Sequence, residues 1–128
     1  MKVRSIDHLV LTVKNIDETI HFYESVLGMK KQVFDDGRAA LGFGNQKINL
    51  HEAGKEFEPK AHHAVPGSAD LCFVADVELG QAIEHVKTLG VEIIEGPVAR
   101  VGAMGPMHSF YFRDTDMNLI EVSSYSRD

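Results

Sequence analysis

The sequence predicts an α+β fold built from two βαβββ units, and three observations predict it. Apolar and polar residues alternate through SIDHLVLTV (5–13), the period of a half-buried strand. From position 15 the pattern changes to that of a helix. The strand and helix then return at a shift of 62, where DLCFVADVELGQAIEHVKTLGVEI sets Asp70 on His8, Phe73 on Leu11 and Leu89-Gly90 on Leu27-Gly28.

Taken in order, the first strand places His8 on one face with Val10 and Thr12. In NIDETIHFYESVLG, Asn15 stands as a helix cap with Glu18 three residues on, Ile16, Ile20, Tyr23 and Leu27 form the apolar stripe, and Gly28 supplies a left-handed stop. Asp36-Gly37 and Gly44-Asn45 are turn signals separating strands near 29–35, 38–43 and 46–52. Polar, Pro-containing residues 54–67 read as a linker between units at about 1–53 and 68–128, within a single domain over 1–128. After the second strand and helix, strands are expected near 108–113 and 118–124. The Gly/Pro-rich GPVARVGAMGP before them reads as a long loop, with Arg100, Met104, Met107 and His108 bordering it as a lid.

Bulk properties narrow the function. The chain has 128 residues, 44% of them hydrophobic and 25% charged, as in ordinary globular domains. Its net charge of −6 disfavours nucleic acid and anionic membrane as partners, because both are bound through an excess of Lys and Arg; a small-molecule partner fits better. Cys72 is the only cysteine, which excludes an intrachain disulfide and a thiolate cluster and agrees with a cytoplasmic location. Asp7 and His8 interrupt any signal-like apolar run at the start. Cys72 reads as a small buried hydrophobe, His21 and His85 as surface positions on helices. His62 and His63 read as solvated linker residues that point to opposite sides if the linker is extended.

The doubled unit, DHLVLTV opening it and YFRDTDMNLIEV closing it together resemble the vicinal oxygen chelate superfamily of glyoxalase I, extradiol dioxygenases, fosfomycin-resistance enzymes and bleomycin-binding proteins. QKINLHEAGKEFEPKA, PGSADLCF and GPVARVGAMGP are most similar to the glyoxalase domain-containing protein 5 group. The resemblance implies a cup-shaped eight-stranded mixed sheet with the helices outside. It also implies one divalent metal ion, Ni, Zn, Co, Mn or Fe(II), held by inward residues of the first and fourth strands of each unit. Carried over by position, these are His8, Asn49, Asp70 and Glu121. His51, two residues beyond Asn49 on the same strand face, is the alternative to a weak amide ligand.

The expected centre is therefore His8, His51 and Glu121, with Asp70 as a further ligand or as the acceptor that orients an imidazole. Imidazole and carboxylate donors suit these ions and leave positions open for substrate oxygens. Glu121 or Asp70 is the expected catalytic base for proton abstraction between two substrate oxygens. By resemblance, the substrate is a hemithioacetal of methylglyoxal and a thiol such as glutathione. An Fe(II) dioxygenase and a metal-free binding protein are the competing readings. A homodimer is expected from the family and from the open sheet edges.

Overall fold

The computed structural model describes residues 1–125; the last three residues of the second unit lie outside the described part. Ten elements run in the order β1 (His8–Val13), α1 (Ile16–Leu27), β2 (Lys30–Val33), β3 (Ala39–Phe43), β4 (Gln46–Glu52), β5 (Asp70–Val74), α2 (Leu79–Thr88), β6 (Glu95–Gly102), β7 (Gly105–Arg113) and β8 (Leu119–Tyr125). They make two compact units divided between Gly67 and Ser68. Each unit is a βαβββ module with one four-stranded mixed sheet, ordered β1-β4-β3-β2 in the first and β5-β8-β7-β6 in the second. No helix among the described residues is long and apolar enough to cross a membrane.

In the first unit the cap and stop of α1 act where the sequence places them. Asn15 Oδ1 accepts from Glu18 N, and Gly28 adopts φ 67° while its N–H returns to the carbonyl of Glu24. The crossover through α1 makes β1 and β4 parallel, with His8 opposite Lys47, Val10 opposite Asn49 and Thr12 opposite His51. Alternation then sorts the side chains. Leu11, Val13, Leu41, Ile48 and Leu50 face the helix with Ile20, Tyr23 and Val26, all buried. Each such aliphatic side chain contributes about 1.5–3 kcal/mol by leaving water. His8, Val10, Thr12, Lys47, Asn49 and His51 occupy the opposite, open face.

The second unit repeats this plan with longer arms. Phe110, Phe112, Ile120 and Val122 join Ala82 and Val86 in its core. Asp70, Cys72, Glu121, Ser123, Ser109 and Tyr111 share the other face, with Cys72 opposite Glu121 and Glu121 opposite Tyr111. The expected loop over GPVARVGAMGP is instead a β-hairpin: β6 and β7 have 8 and 9 residues where β2 and β3 have 4 and 5. Glycine and proline are tolerated because β6 is an edge strand with a bulge between Glu95 and Val98. At that bulge Gly96 has φ 124°, and a Cβ there would stand 2.6 Å from the Cα of Phe110. Arg100, Met107 and His108 are thus strand residues, and only Met104 lies in the turn.

A second turn fixes the approach to β8. Asp114 Oδ1 accepts from the N–H groups of Asp116 and Asn118, and Asn118 Nδ2 donates to Asp114 Oδ2, each at 2.9 Å. Asn118 Oδ1 in turn accepts from Ala69 N at 2.9 Å, tying the turn to the start of β5. The three side chains are buried, Asn118 to 1% exposure. This is the structural content of the RDTDMN stretch.

Candidate functional site

His8 opens β1, and the aspartate beside it has a local role. Its Nδ1 lies 2.9 Å from Asp7 Oδ2 with the imidazole 44% exposed. An Nδ1–H donated to Asp7 makes Nε2 the ring nitrogen with the lone pair, the tautomer a metal-binding histidine uses. Lys47 stands directly across from it.

His51 does not join His8. The β1–β4 register sets them four positions apart, roughly 13 Å along the strands, with side chains standing near perpendicular to the sheet. Two imidazoles must each come within about 2.1 Å of one ion to share it. In this register His8 and His51 lie on one face but four positions apart along it, and nothing in the described contacts joins the two rings. His51 is half-buried and packs edge-to-face on Phe57, ring centroids 5.4 Å apart.

Between them lies Asn49, whose Oδ1 is buried and has no hydrogen-bond partner among the described residues. A buried acceptor left in this state costs about 1–3 kcal/mol. It lines a cavity of about 240 Å³ with Phe34, Asp36, Arg38, Lys47 and His51. Arg38 is bound to Asp36 at 2.8 Å and lies over the Phe57 ring at 4.0 Å; Lys47 Nζ lies 4.6 Å from the Phe34 ring centre. The sequence reading overlooked Arg38 and Lys47. The alternation of QKINLHE, which puts Lys47, Asn49 and His51 on one side, was the signal available.

In the second unit the centre is Glu121. It is half-buried in the middle of the open face, where Ser123 Oγ donates to its Oε2 at 3.3 Å and no Lys, Arg or His among the described residues reaches it. Ser123 also shares hydrogen bonds with Ser109 at 2.7 Å and with the Cys72 thiol at 3.1 Å. Across the strand pair, the Tyr111 hydroxyl accepts from Arg100 Nε at 2.8 Å, while Arg100 also meets Glu95 at 3.3 Å. These contacts raise the Arg100 guanidinium above its ordinary pKa, the Tyr111 hydrogen bond most of all. Asp70 is exposed at the head of β5 on the same face.

Cys72 is exposed rather than a buried hydrophobe, because Leu71 and Phe73 take the core side of β5. Partial burial pushes its thiol pKa up, the Ser123 hydrogen bond opposes that, and the charge of Glu121 adds to the rise. His62 and His63 are exposed as expected; they lie in a turn rather than an extended segment, and their rings meet edge-to-face at 4.4 Å.

Taken singly, His8 and Glu121 have the donor chemistry for a divalent ion. Among the described residues, however, no three His, Cys, Asp or Glu side chains form a group that could hold one. The metal centre implied by resemblance thus has no ready-made three-donor group among the described residues, and Lys47 places a positive charge across from His8.

A family model described as Glyoxalase/Bleomycin resistance protein/Dioxygenase superfamily matches residues 5–122. The glyoxalase domain-containing protein RDO1 of Mycosarcoma maydis is 55% identical over 125 residues, 98% of this chain and 70% of that protein. Virulence protein STM3117 of Salmonella typhimurium is 52% identical, covering 98% of this chain and 87% of the relative. Its crystal structure superposes with a TM-score of 0.97, over 98% of this chain and 100% of that one. A structure from the mobile metagenome of V. Pseudocholerae is 61% identical, with a TM-score of 0.97 over 99% of this chain and 98% of its own. At 21% identity, a lactoylglutathione lyase from Agrobacterium tumefaciens shares the fold alone, with a TM-score of 0.74 over 97% of this chain and 96% of that one. The match across nearly every element, with relatives more than half identical, settles the family: this chain belongs to the Glyoxalase/Bleomycin resistance protein/Dioxygenase superfamily.

Proposed function

We propose that the chain is a glyoxalase-type enzyme acting on a small oxygenated molecule, with Glu121 moving a proton between two adjacent carbons. The observation that carries this reading is the half-buried Glu121 carboxylate on an open sheet face, hydrogen-bonded by Ser123 and met by no cationic side chain among the described residues. A carboxylate on an open face, held by Ser123 at one oxygen and paired with no cation among the described residues, has the position required of a general base. On a hemithioacetal of methylglyoxal and a thiol such as glutathione, Glu121 takes the proton from the carbon bearing the hydroxyl and sulfur. The electron pair left behind forms the enediolate; return of the proton to the neighbouring carbon, with the hydroxyl proton passing from the first oxygen to the second, gives the 2-hydroxy thioester with no atom gained or lost. Asp70, exposed on the same face, is the second carboxylate of this proposal; Tyr111, held by Arg100, is the hydrogen-bond donor nearest in the register to Glu121.

The test is a methylglyoxal and thiol assay of the chain as purified and with added Ni, Co, Mn, Zn or Fe(II), alongside metal analysis and sedimentation. Under the enzyme reading, Glu121→Gln lowers kcat by at least about a hundredfold with the fold intact. Loss of bound metal in His8→Ala and Glu121→Ala would restore the family's ion to this chain and place both residues on it. A particle of twice the 14.2 kDa chain mass is the outcome expected of the proposed homodimer.

A second reading, a metal-free small-molecule binding protein of bleomycin-resistance type, is favoured by the lack of a three-donor group among the described residues. Saturable ligand binding without turnover under every metal condition would select it. The dioxygenase reading gains nothing from His51, which the β1–β4 register holds away from His8.

A further inference from the structure

We infer that Ser123, backed by Ser109, is the positioning residue of the Glu121 base: it occupies Oε2 and leaves Oε1 as the oxygen that takes the substrate proton. The open face of the second unit covers two hydroxyls. Ser109 on β7 and Ser123 on β8 are each 0% exposed, paired directly across the strands with their oxygens 2.7 Å apart. Ser123 Oγ also lies 3.1 Å from the Cys72 thiol and 3.3 Å from Glu121 Oε2. It stands among three polar neighbours with a single proton to give.

Counting protons fixes the direction of this network. An ionised carboxylate only accepts, whereas a serine hydroxyl and a thiol each donate, the thiol weakly. Every group is satisfied when Ser109 donates to Ser123 and Ser123 donates to Oε2, with the Cys72 hydrogen turned to Ser123 or to Glu121. A proton on Oε2 would make that oxygen a hydroxyl and weaken it as the acceptor of Ser123. A proton on Oε1 leaves Oε2 a carbonyl oxygen that still accepts. The proton taken from the substrate carbon therefore goes to Oε1 and returns from it.

The first unit provides an internal comparison. β4 holds in its sheet the place that β8 holds in the other, and Asn49 pairs with Val10 of the parallel strand as Glu121 pairs with Cys72. Two residues beyond Asn49 stands His51, packed on Phe57, and Asn49 Oδ1 has no hydrogen-bond partner among the described residues. The hydroxyl donor thus accompanies the carboxylate and is missing beside the amide, so the shared fold does not require it. The inference rests on the proposed role of Glu121 for its purpose, but the hold of Ser123 on the carboxylate is read without turnover, so either can fail alone.

The test uses the full ¹³C,¹⁵N-labelled chain and reads the two Hγ resonances of Glu121, which stay distinct in a fixed rotamer and converge when the side chain rotates. Ser123→Ala is expected to shrink their separation to less than about half, Ser123→Thr to retain it, and Ser109→Ala to fall between. In the methylglyoxal and thiol assay, Ser123→Ala should lower kcat at least about tenfold with KM changed less than about twofold, because a misplaced base slows the chemical step and leaves binding alone. Ser123→Thr should stay within about threefold of the wild type. If the added methyl keeps Ser123→Thr from folding, the intermediate effect of Ser109→Ala in both readouts decides. An unchanged Hγ separation in Ser123→Ala, equal kcat losses in folded Ser123→Ala and Ser123→Thr, or a loss confined to KM would each overturn the inference. A wild-type chain without turnover, whose distinct Hγ resonances converge in Ser123→Ala, would overturn the glyoxalase reading and uphold the grip of Ser123 on the carboxylate.

Discussion

Replacing Asn118 with alanine is expected to cost far more stability than its position in a turn suggests. The side chain is 1% exposed and makes two hydrogen bonds of 2.9 Å, donating to Asp114 and accepting from Ala69 N–H. A bond to a charged acceptor is worth about 1.5–3 kcal/mol, and an N–H left without its partner costs about 1–3 kcal/mol. Ala69 is only half-buried, so water recovers part of the second loss, and the net expectation is about 2–4 kcal/mol. Urea unfolding followed by circular dichroism measures it, with Asn118→Asp as the companion, expected to be at least as damaging because it sets a carboxylate against Asp114. A loss below about 1 kcal/mol for the alanine variant would refute the argument that this turn pins β8 to β5.

Two further outcomes follow from the titrating groups. Cys72, although exposed, should be alkylated by iodoacetamide more slowly at pH 8 than a cysteine in a short peptide, since partial burial raises its pKa; Glu121→Gln should speed the reaction by removing a nearby negative charge, and an unchanged rate would contradict that. Glu56 is held below its ordinary pKa chiefly by the Gly54 N–H, whose bond to Oε2 is 2.8 Å. Because the folded value is the lower one, its contribution is present at neutral pH and lost as pH falls through that value, so the Gly54 amide resonance should titrate below pH 4.5 and Glu56→Gln should abolish the step.

The local grammar of the chain was legible where backbone preference and burial agree. Asn15, Gly28 and the turns at 36–37 and 44–45 act as read, since a cap or a left-handed glycine needs only its neighbours. GPVARVG was misread because glycine and proline signal a loop unless the strand lies at a sheet edge, and the chain order does not state which strand is at the edge. Leu27 fell on the predicted stripe yet is only half-buried, while Val26 and Thr19 are buried, because the strands beneath α1 choose which face is covered.

By itself the sequence determined the doubled βαβββ order, the family, and the side of each strand on which His8, Asn49, His51, Asp70 and Glu121 lie, because a strand's period of two is a covalent property of the chain. Only the tertiary structure decided the distances along those faces. Register comes from which residues of β1 and β4 pair, and that pairing holds His8 and His51 apart while leaving Lys47 and Asn49 around one cavity. It likewise brought Ser123 under Glu121 and Arg100 against Tyr111, contacts set by the fit of whole strands and invisible in any spacing along the chain.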